Sequence, residues 1–155
     1  MTNISIQKQD FDPGEEYSLL RSEAGDAGGI VSFTGLVREL YDESSAKNGK
    51  VESLFLEHYP GMTEKCLKEI CEEAEARWPL LSVRVIHRVG ELLPGDQIVF
   101  VGTASAHRQA AFDSARFIMD YLKSKAPFWK KQKSTDSSDW VESRDIDETA
   151  LEQWQ

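Results

Sequence analysis

The sequence predicts one domain of the α+β class. Strand-like and helix-like stretches follow one another without the strict alternation of a parallel, doubly wound sheet. The 155 residues, 40% of them hydrophobic, suit a single domain (residues 1–155) that can bury a core without disulfides or a structural metal. No internal repeat and no linker-like stretch divides the chain.

The elements follow in order. Residues 3–9 alternate as a strand does, and Asp12-Pro13-Gly14 marks a turn into a short helix over 15–24. Gly28-Gly29 opens a β-branched apolar run, 30–37, suited to a buried strand. Residues 39–50 are polar and rich in Ser, Asn and Gly, and read as a mobile loop. Residues 51–59 form the next strand, with Leu54, Leu56 and His58 on one side. Pro60-Gly61 ends it.

An amphipathic helix spans 62–78, with Leu67, Ile70, Cys71, Ala74 and Trp78 on one face, and Pro79 stops it. Residues 82–90 alternate with Val83, Val85, His87 and Val89 on one face. The turn Leu93–Asp96 returns the chain as a strand over 97–104, and the two strands are expected to pair as a hairpin. Ser105 is the expected N-cap of a helix over 106–125, whose core stripe is Ala111, Ala115, Ile118 and Leu122. Pro127 ends that helix. A basic, then polar loop follows, then a short strand within 140–146. Residues 147–155 read as a tail or short helix.

Charge is unevenly spread. The whole chain carries −9, which disfavours nucleic acid and anionic membranes as partners. From Ser105 to Lys133, however, seven basic residues face two acidic ones, a net +5. A positive island in a negative chain fits a small anionic ligand or an acidic tail; a solvated lysine-rich helix end is the simpler alternative. The chain start lacks a signal-like apolar region, and no apolar run approaches the roughly 20 residues a membrane helix needs, so the cytoplasm is the expected compartment.

Within the island, His107 and Arg108 stand in the first turn of the expected helix. Free N–H groups and the helix dipole favour an anion there. Lys123 stands near the other end, on the face of Phe112, Arg116 and Met119, where partial desolvation would favour a neutral, reactive amine. Lys130 and Lys131 follow Phe128-Trp129, aromatics that could line a pocket for a flat ring or simply pack beneath the chain. His107 and Lys123 are 16 residues apart, roughly 24 Å along one helix. One small ligand cannot reach both within a chain, so they serve two sites or one site completed by a second copy. His58 and His87 read as packed or edge residues. Cys66 and Cys71 match no zinc or redox spacing and read as buried, reduced thiols. No phosphate loop, His-Glu metal motif or nucleophile elbow is present in the sequence.

The strings FTGLVR, LEHYPGMTEK, RWPL, VIHRVGEL, PGD, IVFVG, SAHR, FIMDYLKSKAPFWKK and WVESR occur in that order between about Phe11 and Arg144. Together they resemble the catalytic (large) subunit family of molybdopterin synthase. The resemblance implies an α/β hammerhead fold. It implies a sulfurtransferase of molybdenum cofactor biosynthesis that converts cyclic pyranopterin monophosphate to molybdopterin. Two sulfurs would come from the thiocarboxylated C-terminal glycine of a small ubiquitin-like carrier subunit. A homodimer within a heterotetramer is implied, with no cofactor and no metal. By matching motif, Lys123 and Lys130 are the implied catalytic pair. Arg38, His107, Arg108, Lys131, Gln132 and Arg144 are the implied substrate-binding residues, with Leu36 and Val37 beside Arg38. Many members carry a basic residue where this chain has Leu36. Two other readings stay open. One is a non-catalytic docking module for the carrier; the other is an enzyme acting on phosphorylated pterins or nucleotides without sulfur.

Overall fold

The computed structural model describes residues 1–38, 51–134, 138–141 and 150–155. Its elements are β1 (Thr2–Gln7), α1 (Pro13–Ala24), β2 (Gly29–Leu36), β3 (Val51–His58), α2 (Met62–Arg77), β4 (Leu80–Arg88), β5 (Gly90–Leu92), β6 (Gln97–Ser105), α3 (Arg108–Lys125), β7 (Phe128–Ser134) and β8 (Ser138–Val141). The strands form two four-stranded sheets, ordered β1-β4-β6-β2 and β5-β3-β7-β8. β1 runs parallel to β4, and every other pairing is antiparallel. The expected loop at 39–50 lies outside the described residues. Of the expected tail, residues 150–152 are helical.

The first sheet is covered on both faces, which explains why β6 is buried at almost every position. On one face lies α1. Asp12 caps it by accepting from the Gly14 and Glu15 N–H groups, and Pro13 supplies the fixed first turn. Leu20 and Ala24 pack on Ala104. A Cβ on Gly102 would stand 2.8 Å from Leu20 Cδ2, so the helix seats against a strand position without a side chain. Arg84 of β4 then bridges Glu16 at 2.9 Å and Glu23 at 3.1 Å, tying helix to sheet.

On the other face, Val83, Val85, Val99 and Val101 form the main core with α2 residues Leu67, Ile70 and Cys71 and α3 residues Ala115, Phe117, Ile118 and Leu122. The expected stripe of α3 is therefore its buried face. The expected N-cap is not. Ser105 is the buried last residue of β6, and its hydroxyl donates to the Pro79 carbonyl at 2.8 Å. The cap is His107, which makes no side-chain capping bond. Ser105 was the better local candidate, but a partner across the sheet satisfies it first.

The hairpin expected from 82–90 and 97–104 exists as the β4–β6 pair, with one correction. Gly90, at φ 89°, redirects the chain, so residues 90–92 leave the first sheet and pair with β3 in the second. The basic segment expected as a loop is β7. Its register sets Leu56 opposite Lys130, Phe55 opposite Lys131 and His58 opposite Phe128. The last expected strand begins earlier than the sequence suggested, at Ser138.

His87 sits where the two sheets meet. Its ring is buried and stacks on Phe128 of the second sheet, with centroids 4.0 Å apart and planes 20° from parallel. Burial, then the charge of Lys123, pushes its pKa down to about 3. Thr63 secures the same junction from α2. Its hydroxyl accepts from the Tyr59 N–H at 2.8 Å and donates to the Pro127 carbonyl at 2.9 Å.

Two stability predictions follow from this junction. Thr63→Val leaves both backbone groups without that partner and should lower stability by about 1–3 kcal/mol, read by chemical denaturation. The unfolded chain takes up a proton at His87 near the ordinary histidine pKa of 6.5, whereas the folded chain does so only near 3. Stability should therefore fall as pH drops through that window, and His87→Asn should flatten the decline in denaturation curves.

Candidate active site

The structure separates the expected cations into two groups at opposite ends of one helix. Thr103, near the end of β6, donates its hydroxyl to the Ala111 carbonyl in the first turns of α3. The helix thus folds straight back over its own strand. The C-terminal end of α3 returns to the end of the sheet where β6 begins.

At the first end stand His107 and Arg108, both exposed, with no acidic residue in the first turn of α3. The β2 strand starts beneath them. The Gly28 N–H donates to the Ser105 carbonyl at 2.9 Å, and a Cβ on Gly28 would fall 1.9 Å from the Ala106 carbonyl oxygen. Only a residue without a side chain lets β2 begin under the turn into α3. Open helix N–H groups, the Arg108 guanidinium and the His107 imidazole together suit a phosphate-like anion.

At the other end the register brings different residues together. Leu36 of β2 lies opposite Gln97, and His87 of β4 opposite Val99, so both lie at the β6 start. Arg38 follows directly and is exposed. Val37, by contrast, is 7% exposed, and its backbone is pinned to the β5–β6 turn by bonds to Asp96 and Gly95 of 2.9 and 2.7 Å. Leu36 is 56% exposed. Lys123, half-buried, is near the end of α3, and Ala126-Pro127 carries the chain directly into β7. Lys123 and Lys130 are both close enough to His87 for their charges to act on its ring.

Alternation along β7 divides its residues. Phe128 and Lys130 lie opposite His58 and Leu56, on the inward face. Trp129 and Lys131 lie opposite Glu57 and Phe55, on the outward face, and both are exposed. Gln132 pairs with Leu54 in the backbone register. Arg144 lies outside the described residues. On the outward side, Trp129 meets Tyr59 at 5.6 Å, and with Glu57, His58 and Pro60 they line an open hollow of about 440 Å³. Sequence reasoning assigned Tyr59 no role and read His87 as a packed or edge residue. The only signal for His87 was a histidine on the apolar side of an alternating strand.

The two cysteines are free. Burial pushes the Cys71 thiol up to about 12, with Glu75 and Glu72 adding to the effect. Burial, with Glu69, also raises Cys66, which is only half-buried and donates to the Lys125 carbonyl. Both therefore stay protonated and weakly nucleophilic near neutral pH. No helix among the described residues is long and apolar enough to cross a membrane.

Residues 6–125 match the family model described as MoaE protein. The chain is 53% identical over 152 residues to the molybdopterin synthase catalytic subunit of Vibrio cholerae serotype O1, covering 98% of this chain and 97% of the relative. The solved molybdopterin biosynthesis MoaE protein from Burkholderia ambifaria superposes with a TM-score of 0.84 at 47% identity, over 99% of this chain and 98% of that one. At 17% identity the fold persists, with a TM-score of 0.71 over 92% of this chain and 91% of the other. That structure, from Helicobacter pylori, is a protein–protein complex of subunits 1 and 2 of molybdopterin-converting factor. The α+β fold is thus that of MoaE structures, and the chain belongs to the MoaE family.

Proposed function

We propose that this chain is the catalytic subunit of a molybdopterin synthase, a sulfurtransferase of molybdenum cofactor biosynthesis. The observation that carries the reading is likeness to catalytic subunits over nearly the whole chain, at 53% identity. The substrate is cyclic pyranopterin monophosphate, and sulfur arrives as the C-terminal thiocarboxylate of a small ubiquitin-like carrier. The high thiol pKa values support an external sulfur source, since neither cysteine is a ready nucleophile. On this reading the reaction takes place in the cytoplasm.

The separation along α3 supports a site built from two copies. His107 and Arg108 of one copy bind the phosphate, where helix N–H groups add to the two side chains. Arg38, Lys123 and Lys130 of the other meet the pterin, joined by Gln132 and Arg144. Lys131, on the outward face of β7, helps draw in the anionic carrier tail. Lys123 meets the carrier terminus and acts at the reacting carbon as acid/base or transient covalent partner. Lys130 stabilises negative charge as the cyclic phosphate opens.

Lys123→Ala should fold normally and lose about 10²–10⁴-fold in dithiolene formation from precursor and thiocarboxylated carrier. Turnover within a few-fold of wild type would remove Lys123 from the mechanism, and turnover without any carrier would favour a different pterin enzyme. A Lys123→Ala chain mixed with a His107→Ala/Arg108→Ala chain should regain about a quarter of wild-type activity, because half of random dimers keep one intact site. No recovery, with subunit exchange confirmed by mass spectrometry, would mean that each site lies within one chain.

A further inference from the structure

His87 is a polar ring held in the core without a stated task. Its Nδ1 lies 2.8 Å from the Arg88 carbonyl oxygen. A carbonyl can only accept, so Nδ1 carries the proton and donates. In the neutral imidazole, the form that burial favours, the other ring nitrogen, Nε2, is then a lone-pair acceptor. The Phe128 ring, stacked at 4.0 Å, fixes the plane of the imidazole. Ring tilt, tautomer and depth are thereby all set by groups outside the reacting pair. The titratable groups acting on this ring are Lys123, Lys130 and His58, drawn from α3, β7 and β3. Among the described residues no carboxylate is named with them, and the two lysines are those assigned above to the chemistry.

We propose that His87 is a positioning residue, whose fixed, uncharged imidazole offers Nε2 as the acceptor for the Lys123 ammonium and so holds that amine toward Lys130. The lysine side chain has four rotatable carbons and loses much freedom when held in one place. An acceptor built into the core confines it without neutralising its charge, as a carboxylate would. Stacking on Phe128 adds a covalent economy: the ring that orients the acceptor stands two residues before Lys130 and on the same face of β7. One buried contact therefore references both lysines to a common point. This inference rests on the assignment of Lys123 and Lys130 to the reaction.

The test has an arm that needs no turnover. In the full-length protein, the imidazole ¹⁵N resonances of His87 should report the Nδ1-protonated tautomer from pH 5 to 8. Lys123→Met should move the Nε2 resonance and leave Nδ1 in place. An Nε2 signal indifferent to Lys123→Met would overturn the proposal whatever the activity of the enzyme. The second arm is kinetic. His87→Phe keeps an aromatic ring but offers no acceptor, and should lower kcat roughly tenfold or more with KM for the pterin nearly unchanged. His87→Gln, which restores an acceptor near the Nε2 position, should recover most of that loss. Equal losses in the two variants, or a loss confined to KM, would reduce His87 to a packing residue. If the NMR arm succeeds while Lys123→Ala turns over normally, the assignment of the lysines fails and the contact stands.

Discussion

The long contact between α3 and β6 is the constraint from which the rest of the molecule follows. Ala111, Ala115, Ile118 and Leu122 are buried along one stripe of an uninterrupted helix, and Thr103 locks its first turns to the strand beneath. A helix fastened along its length cannot bend to bring its ends together. Its 18 residues span about 27 Å. Cations at its two ends are therefore held apart as firmly as if they belonged to separate proteins. Any single ligand that needs both must find them on two copies of the chain. On the proposed reading, the positive island is two half-sites of different character. One is a helix N-terminus open to an anion, and the other is a lysine pair at a seam between sheets.

That seam depends on a second set of contacts. Gly90 lets the chain leave the first sheet for the second, and the step brings β3 and β7 against the end of β4. Thr63 holds the Pro127 carbonyl, so β7 starts in a defined place directly after α3. Phe128 then lies against His87. The result is that two lysines separated by a helix end, a proline and a strand start both act on one buried ring. Low polarity around that ring strengthens each charge interaction, which suits chemistry that develops negative charge on phosphate and sulfur.

Much of this was legible in the sequence where a local period governs. The helices α1, α2 and α3 and the strands β4 and β6 each bury one face or two, so their apolar spacing announced them. β7 was hidden because FWKKQKS places a lysine at an inward position, and its pairing with β3 is a contact across 70 residues or more. The division into two sheets was equally invisible. It turns on Gly90 and on β1 joining β4 in parallel, neither of which leaves a local pattern. Ser105 misled because capping preference is local while its actual partner, Pro79, is on another element. At the site, the strings around Lys123 and Lys130 carried the lysine pair. The opposite facing of Lys130 and Lys131, and the stacking of Phe128 on His87, needed the three-dimensional structure.

The central claim is that residue 108 of one copy lies beside Lys123 of another. A photo-reactive amino acid at position 108 in an equal mixture of ¹⁴N- and ¹⁵N-labelled chains tests it most directly, once the copies have exchanged. Irradiation, digestion and mass spectrometry identify the peptide joined to residue 108. Peptides containing Lys123 or Lys130 are expected, with about half of the joined pairs carrying one light and one heavy member. Joined pairs of a single isotope only, or attachment solely to neighbours on the same end of α3, would contradict it.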